Sequence, residues 1–411
     1  MLFNPYAVAR PETKARIEVV SNPVSIAATT YKAWLDNTRD IYDVFEERPA
    51  NNRKNHDQDK CDVLYGKAEK MLREASRLSG MNSEQFARAE KLIVPHRKDY
   101  ITDGGYFDFH GKAGLFLSAL INASNLNRLS GLFNHTILGY RLAEGKTLIA
   151  EQGSDVTCLA PYARGTIVNM GSAITMAEES EDATVMNFDP EGREDGTNVN
   201  DMSPRSSGGV HVNFGKILSV GEEAEGSVII NFWDAGSLGP NSRNSVVLNI
   251  QQTGDIAHNA NGGVHVNLLY AGQIGEKSEG SVLANYGFPC SVADEAVDGS
   301  YFNSGRVFCR TKKELEEQKK HKPTTEDAVR ALLVGTKPYF DEPRDTKLSE
   351  LFGRLEGRLV DAEFDRAGTG RKHFFYLSDP ETAIKLVTEY DWKKIRKDVN
   401  TIAEQIKEAA A

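Results

Sequence analysis

A short pattern returns along the middle of the chain at a constant spacing of 18 residues. It reads Gly209-Val-His-Val-Asn-Phe214, Ser227-Val-Ile-Ile-Asn-Phe232, Ser245-Val-Val-Leu-Asn-Ile250, Gly263-Val-His-Val-Asn-Leu268 and Ser281-Val-Leu-Ala-Asn-Tyr286. A unit this short cannot bury a core alone, so successive units must stack, and β-rich units stack as a solenoid. The fold class expected is therefore mainly β: a parallel β-helix of 18 residues per coil, flanked by N- and C-terminal α-helical regions. Aligned on its asparagine, the repeat runs through Asn169, Asn187, Asn213, Asn231, Asn249, Asn267, Asn285 and Asn303. The one long interval, Asn187 to Asn213, carries eight extra residues within Asp189–Gly208. Such insertions leave a repeat core intact and are natural places for binding; Arg193, Asp195, Asp201 and Arg205 are the charged groups there.

Within each coil, Val210, Val212 and Phe214 and their equivalents alternate at period two, which predicts one shared inward face. A second inward column is expected at Met176, Val220, Leu238, Ile256, Ile274 and Val292, followed by a glycine or alanine at a corner. Eighteen residues is also the length of a left-handed hexapeptide coil, but the third hexad, Glu222–Ser227, lacks the aliphatic residue that fold requires. Handedness stays open, and a flattened coil with two main strands fits the pattern. The slots of Thr147–Glu151 and Ser130–Asn134 suggest less regular coils before the repeat. Strands around 106–121 and a helix through Leu115–Leu126 both fit.

Three regions follow: N-terminal helices over 1–98, the β-solenoid over 99–310 and C-terminal helices over 311–411. In the first, a helix follows Pro23, a second spans about 60–78, and Asn82 with Gln85 has capping-box spacing for a third. In the last, helices are expected at 312–320 and 324–333, and Ser378-Asp-Pro-Glu381 opens a helix toward the C-terminus. Its residues Trp392, Ile395, Val399, Ile402 and Ile406 form a short apolar seam that should dock on the solenoid's end.

The candidate binding residues are those of the asparagine-bearing column and its neighbours: His211, Asn213, Asn231, Asn249, His265, Asn267 and Asn285. Stacked asparagines lie about 4.8 Å apart and can bond one another as a ladder. They share their face with Ile229, Val247 and Leu283, so that face should be covered, by terminal helices or a second subunit. His211 and His265 stand three coils apart, about 14 Å, too far to share one metal within a chain. Acidic residues crowd the turns, and His258 beside Glu276 is the one mixed ligand pair, a weak metal candidate. No cofactor is expected. Cys290, next to Pro289, is the more plausible reactive thiol, and Cys158 is placed in the second inward column.

The net charge of −10 argues against a nucleic-acid partner. Cys61, Cys158, Cys290 and Cys309 are too scattered for a disulfide framework. No apolar stretch suits a signal peptide or a membrane span, so a cytoplasmic setting is expected. Gly368-Thr-Gly-Arg-Lys372 lacks the span of a phosphate-binding loop. These observations favour a scaffold or protein-interaction protein that self-associates through the asparagine-bearing sheet, with a protein or a second copy as partner. The alternative is a solenoid enzyme: a transferase, a lyase or a metal-dependent one. Helices, then a β-helix, then helices is also the layout of iron–sulfur assembly scaffold subunits, which this chain resembles in layout alone.

Overall fold

The computed structural model describes residues 22–38, 41, 58–75, 78, 80–94, 106–124, 126–189, 198–249, 252–267, 270–285, 288–292, 295–303, 360–364 and 372–376. Near the C-terminus it describes 391–394, 396–397, 400–401 and 403–404. The chain is a parallel β-solenoid of about 18 residues per coil preceded by helices.

The helices are α1 (Pro23–Asn37), α2 (Gln58–Glu74), α3 (Ser83–Ile93) and α4 (Tyr106–Ser124). Asn22 caps α1, whose first residue is a proline with no amide hydrogen to lose. The capping box of α3 is formed in both directions, Asn82 accepting from Gln85 N and Gln85 accepting from Asn82 N. Helix α4 settles the ambiguous stretch. Leu115, Phe116, Leu117, Ala119, Leu120 and Ile121 are all buried, covering every side of the helix, because it lies between α2 and the first coil. Gly114 permits that approach: a Cβ there would stand 2.6 Å from the carbonyl oxygen of Ile137. The helices thus close one end of the solenoid, whose unpaired strands would otherwise be open to association.

Each coil contributes one strand to each of two sheets. The ten-stranded sheet A holds β1 (Arg128–Leu129), β3 (Thr147–Ala150), β5 (Thr166–Asn169), β7 (Thr184–Phe188) and β9 (Val210–Phe214). It continues through β11 (Val228–Asn231), β13 (Val246–Asn249), β15 (Val264–Asn267), β17 (Val282–Asn285) and β19 (Ser300–Asn303). The nine-stranded sheet B holds β2 (Leu132–Leu138), β4 (Asp155–Leu159), β6 (Ser172–Met176), β8 (Val199–Met202) and β10 (Ile217–Val220). It ends with β12 (Asp234–Leu238), β14 (Gln252–Ile256), β16 (Tyr270–Ile274) and β18 (Phe288–Val292). Register is exact to the repeat: Asn213, Asn231, Asn249 and Asn267 pair in turn. A third side is reduced to single bridges, Glu181, Ser207, Glu225, Arg243, Asn261, Glu279 and Val297. The coil is accordingly flattened, with two main strands. Ser130–Asn134 proves to feed sheet B, while Arg128–Leu129 takes the sheet A slot of the first coil.

The orientation of sheet A is the reverse of the expectation. Ile167, Val185, Ile229, Val247 and Leu283, together with the asparagines, face the interior, where they meet Val220, Leu238, Ile256 and Ile274 of sheet B. The corner glycines report the same contact: a Cβ on Gly239 would stand 3.0 Å from the Val247 side chain. By alternation, Val168, Met186, Val212, Ile230, Leu248 and Val266 point outward. They are nevertheless at most 4 % exposed, so this outer face is closed to solvent within the single chain. Strands buried on both faces read as continuous apolar runs, which is why period two could not choose the inner set. On the same outer side Phe188, Phe214 and Phe232 stack at 4.9 and 4.5 Å with nearly parallel rings.

Met176, Val220, Leu238, Ile256 and Ile274 form the second inward column as expected, Leu159 rather than Cys158 occupies it, and the Val292 side chain lies outside the described residues. Among the C-terminal residues, β20 (Val360–Phe364) and β21 (Lys372–Tyr376) pair antiparallel in a region read as helical, while 368–371 lie outside the described residues. The helices expected at 312–320 and 324–333, and the box at 378–381, lie outside the described residues.

Candidate functional site

The asparagine column forms a continuous ladder at the interior corner between the sheets. Each Nδ2 donates to the next Oδ1 at 2.8–3.0 Å from Asn169 through Asn187, Asn213, Asn231, Asn249 and Asn267 to Asn285. Asn213 shows the full set. Its Nδ2 also donates to Gly215 O at 2.7 Å, and its Oδ1 accepts from Gly215 N at 3.1 Å. Two donors and two acceptors are all an amide has, so Asn213 is chemically saturated.

At the insertion, Asn198 joins the ladder. Asn187 and Asn198 exchange side-chain hydrogen bonds at 3.0 and 2.9 Å, and Asn198 also donates to Phe188 O at 2.8 Å. The ladder therefore crosses the insertion unbroken. Sequence reasoning passed over Asn198, though an asparagine just before a resumed strand was the available signal.

The two histidines are also interior. His211 Nε2 lies 3.0 Å from Ser206 Oγ, and His265 Nε2 lies 3.2 Å from Gly262 O. Burial pushes the His211 pKa down to about 3, the Arg396 charge adds to that, and the Gly208 backbone opposes it; the ring is neutral at pH 7. The residue two positions earlier explains the histidine. Other coils carry Ser227, Ser245 or Ser281 here, whose hydroxyls bond carbonyls of the coil before, Ser281 Oγ to Gly262 O at 2.9 Å. Where the serine gives way to Gly209 or Gly263, a Cβ would stand 3.3 or 3.2 Å from the histidine Cε1, so glycine and imidazole share one space.

All seven binding candidates are thus brought together inside the coil, fully buried, and none presents a polar group to a ligand at the surface. His258 Nδ1 stands 3.4 Å from Glu276 Oε2 on the turn edge, and Lys277 is 3.6 Å from the same carboxylate group. Among the described residues no group of three or more histidine, cysteine or carboxylate side chains could hold a metal. Nor is any helix among them long and apolar enough to cross a membrane. Burial and the nearby Glu178 raise the pKa of the Cys158 thiol, so it is a poor nucleophile. Of the insertion's charges, Arg205 pairs with Glu178 and Glu179. Asp201 lies on β8, its pKa raised by burial and by Glu222 and Glu178. Arg193 and Asp195 lie outside the described residues.

Two surfaces remain. The first is the outer side of sheet B, where Ile174 and Leu218 are 52 % and 53 % exposed in one outward column with Gly236 and Gly254. The second is a corner cleft of about 300 Å³, bordered by Glu144, Arg164, Asp182, Thr184, Val210, Lys393 and Arg396. There the C-terminal segment lies along the solenoid's flank rather than its end. Lys393 meets Glu144 at 2.6 Å and Arg396 meets Asp182 at 2.6 Å. The attraction lowers the Glu144 pKa and raises that of Lys393.

Comparison with known proteins adds no relative. No family model, no curated protein and no solved structure matches the chain.

Proposed function

We propose that this chain is a non-enzymatic scaffold that offers the outer face of sheet B to a protein partner. One observation carries the reading: the interior asparagines are fully buried and bonded to one another along the stack, while the outward column of sheet B is left open. A small-molecule site calls for a concave pocket with converging polar groups; sheet B is a flat array of nine strands. At about 4.8 Å per strand and roughly 15 Å of strand length it offers about 600 Å², close to one side of an ordinary protein interface. Ile174 and Leu218 supply aliphatic anchors, and the glycines leave the floor flat.

The asparagine-bearing sheet is the poorer surface, because its outer face is already closed within the chain. Self-association through sheet B is the simplest form of the proposal. Native mass spectrometry at tens of micromolar should then show an oligomer, and Ile174→Arg with Leu218→Arg should return a monomer with an unchanged melting curve. A monomeric wild-type chain would remove self-association. A stoichiometric metal or small molecule retained through purification would overturn the scaffold reading and favour an enzyme or carrier.

A further inference from the structure

Residues 393–397 read Lys-Lys-Ile-Arg-Lys, four cations in five positions of a chain with net charge −10. Opposite them stand Glu144 and Asp182, on corner loops two coils apart. Arg396 also reaches past Asp182 to the carbonyl of Gly226 at 3.4 Å. Its seat is built into the backbone. Gly208 has φ +66°, and a Cβ there would stand 2.8 Å from Arg396 Nη2 as well as colliding with the Asp182 carboxylate. A side chain there would be strained by the positive φ and would push aside the ends of both charged side chains.

Among the described residues of the segment only Trp392 and Ala403 are buried, while Lys393, Lys394, Lys397, Thr401 and Glu404 are exposed. Both Lys393 and Glu144 have side chains 69 % exposed, so their attraction is screened by salt. The solenoid beneath is held chiefly by buried ladders and packed columns, which salt does not screen. The cleft beside the contact opens onto Thr184 and Val210, the first residues of β7 and β9, where the apolar outer side of sheet A begins.

We infer that residues 391–404 are an electrostatic latch that salt can release while the solenoid stays folded, exposing Trp392 and the start of sheet A's outer face.

Hydrogen–deuterium exchange on the full chain tests this. Raising NaCl from about 0.05 M to about 1 M shortens the screening length severalfold. Exchange in 391–404 should speed up roughly fivefold to tenfold, with β11, β13 and β15 unchanged. Glu144→Lys with Asp182→Lys should give the fast rate already at low salt, and adding Lys393→Glu and Arg396→Glu should restore protection. Should the charge-swapped chain fail to fold, the salt titration of the wild type decides alone. Exchange that ignores salt, or that speeds up only together with the strands, would overturn the latch.

Discussion

At a single asparagine the cost of change is set by how many partners it strands. Asn231 accepts from Asn213 and donates to Asn249 and to Trp233 O, all buried. Asn231→Ala leaves those groups unmatched, and urea unfolding should show a loss of about 2–3 kcal/mol. The ladder itself was legible, because identical amides at one register can satisfy each other. Which face it occupied was not, since both faces of sheet A are apolar and alternation is blind to the choice. The histidines were misread for a related reason. Their meaning lies in Gly209 and Gly263, two positions earlier, and emerges only when the serine of the other coils is compared. Gly209→Ser alone should be destabilising, at φ +88° and against both Ala183 O and the imidazole. Combined with His211→Ile, which copies the neighbouring coil, it should cost less than the two single changes summed, and a double-mutant cycle measures the difference. His211 also carries a pH signature. Its folded pKa of about 3 lies below the ordinary 6.5, so on acidification the unfolded chain takes up the proton first. Stability is then full above about pH 6.5 and falls by up to about 1.4 kcal/mol per unit toward pH 3. His211→Leu should flatten that part of the urea-midpoint profile.

Among the elements, β7 and β8 are the informative pair, because the chain leaves the repeat between them and returns in register. Ser207 and Glu225 bridge normally beyond the insertion, and Met202 pairs with Val220 as any coil pairs with the next. The 26-residue interval predicted a tolerated insertion but not the residue that closes it. Asn198→Ala removes donors to Phe188 O and Asn187. It should lower stability by about 1–3 kcal/mol and raise proteolytic cutting between 189 and 198 before any other site. The caps of α3 were readable because side chain and backbone partners lie three residues apart. Helix α4 was not, since a helix buried on all sides loses the stripe that identifies it.

For the whole molecule, a stack in which each coil touches only its neighbours should accept a further coil. Duplicating Ser227–Asn244 in tandem adds a strand to each sheet and another rung to the ladder. The melting temperature is expected to hold or rise; loss of the cooperative transition would contradict independent stacking. The terminal segments obey a different logic, for both fasten to the loop 139–146 of the first coil. Asp62 of α2 accepts from Tyr140 and Arg141, and Lys393 reaches Glu144 three residues further on. A chain pulled from its C-terminus would therefore load that loop before it loads the last coil, so tension bypasses most of the stack. Force spectroscopy should register a weak early rupture as the ion pairs part. After it, coils should peel away singly, each releasing 18 residues, about 60 Å of extended chain.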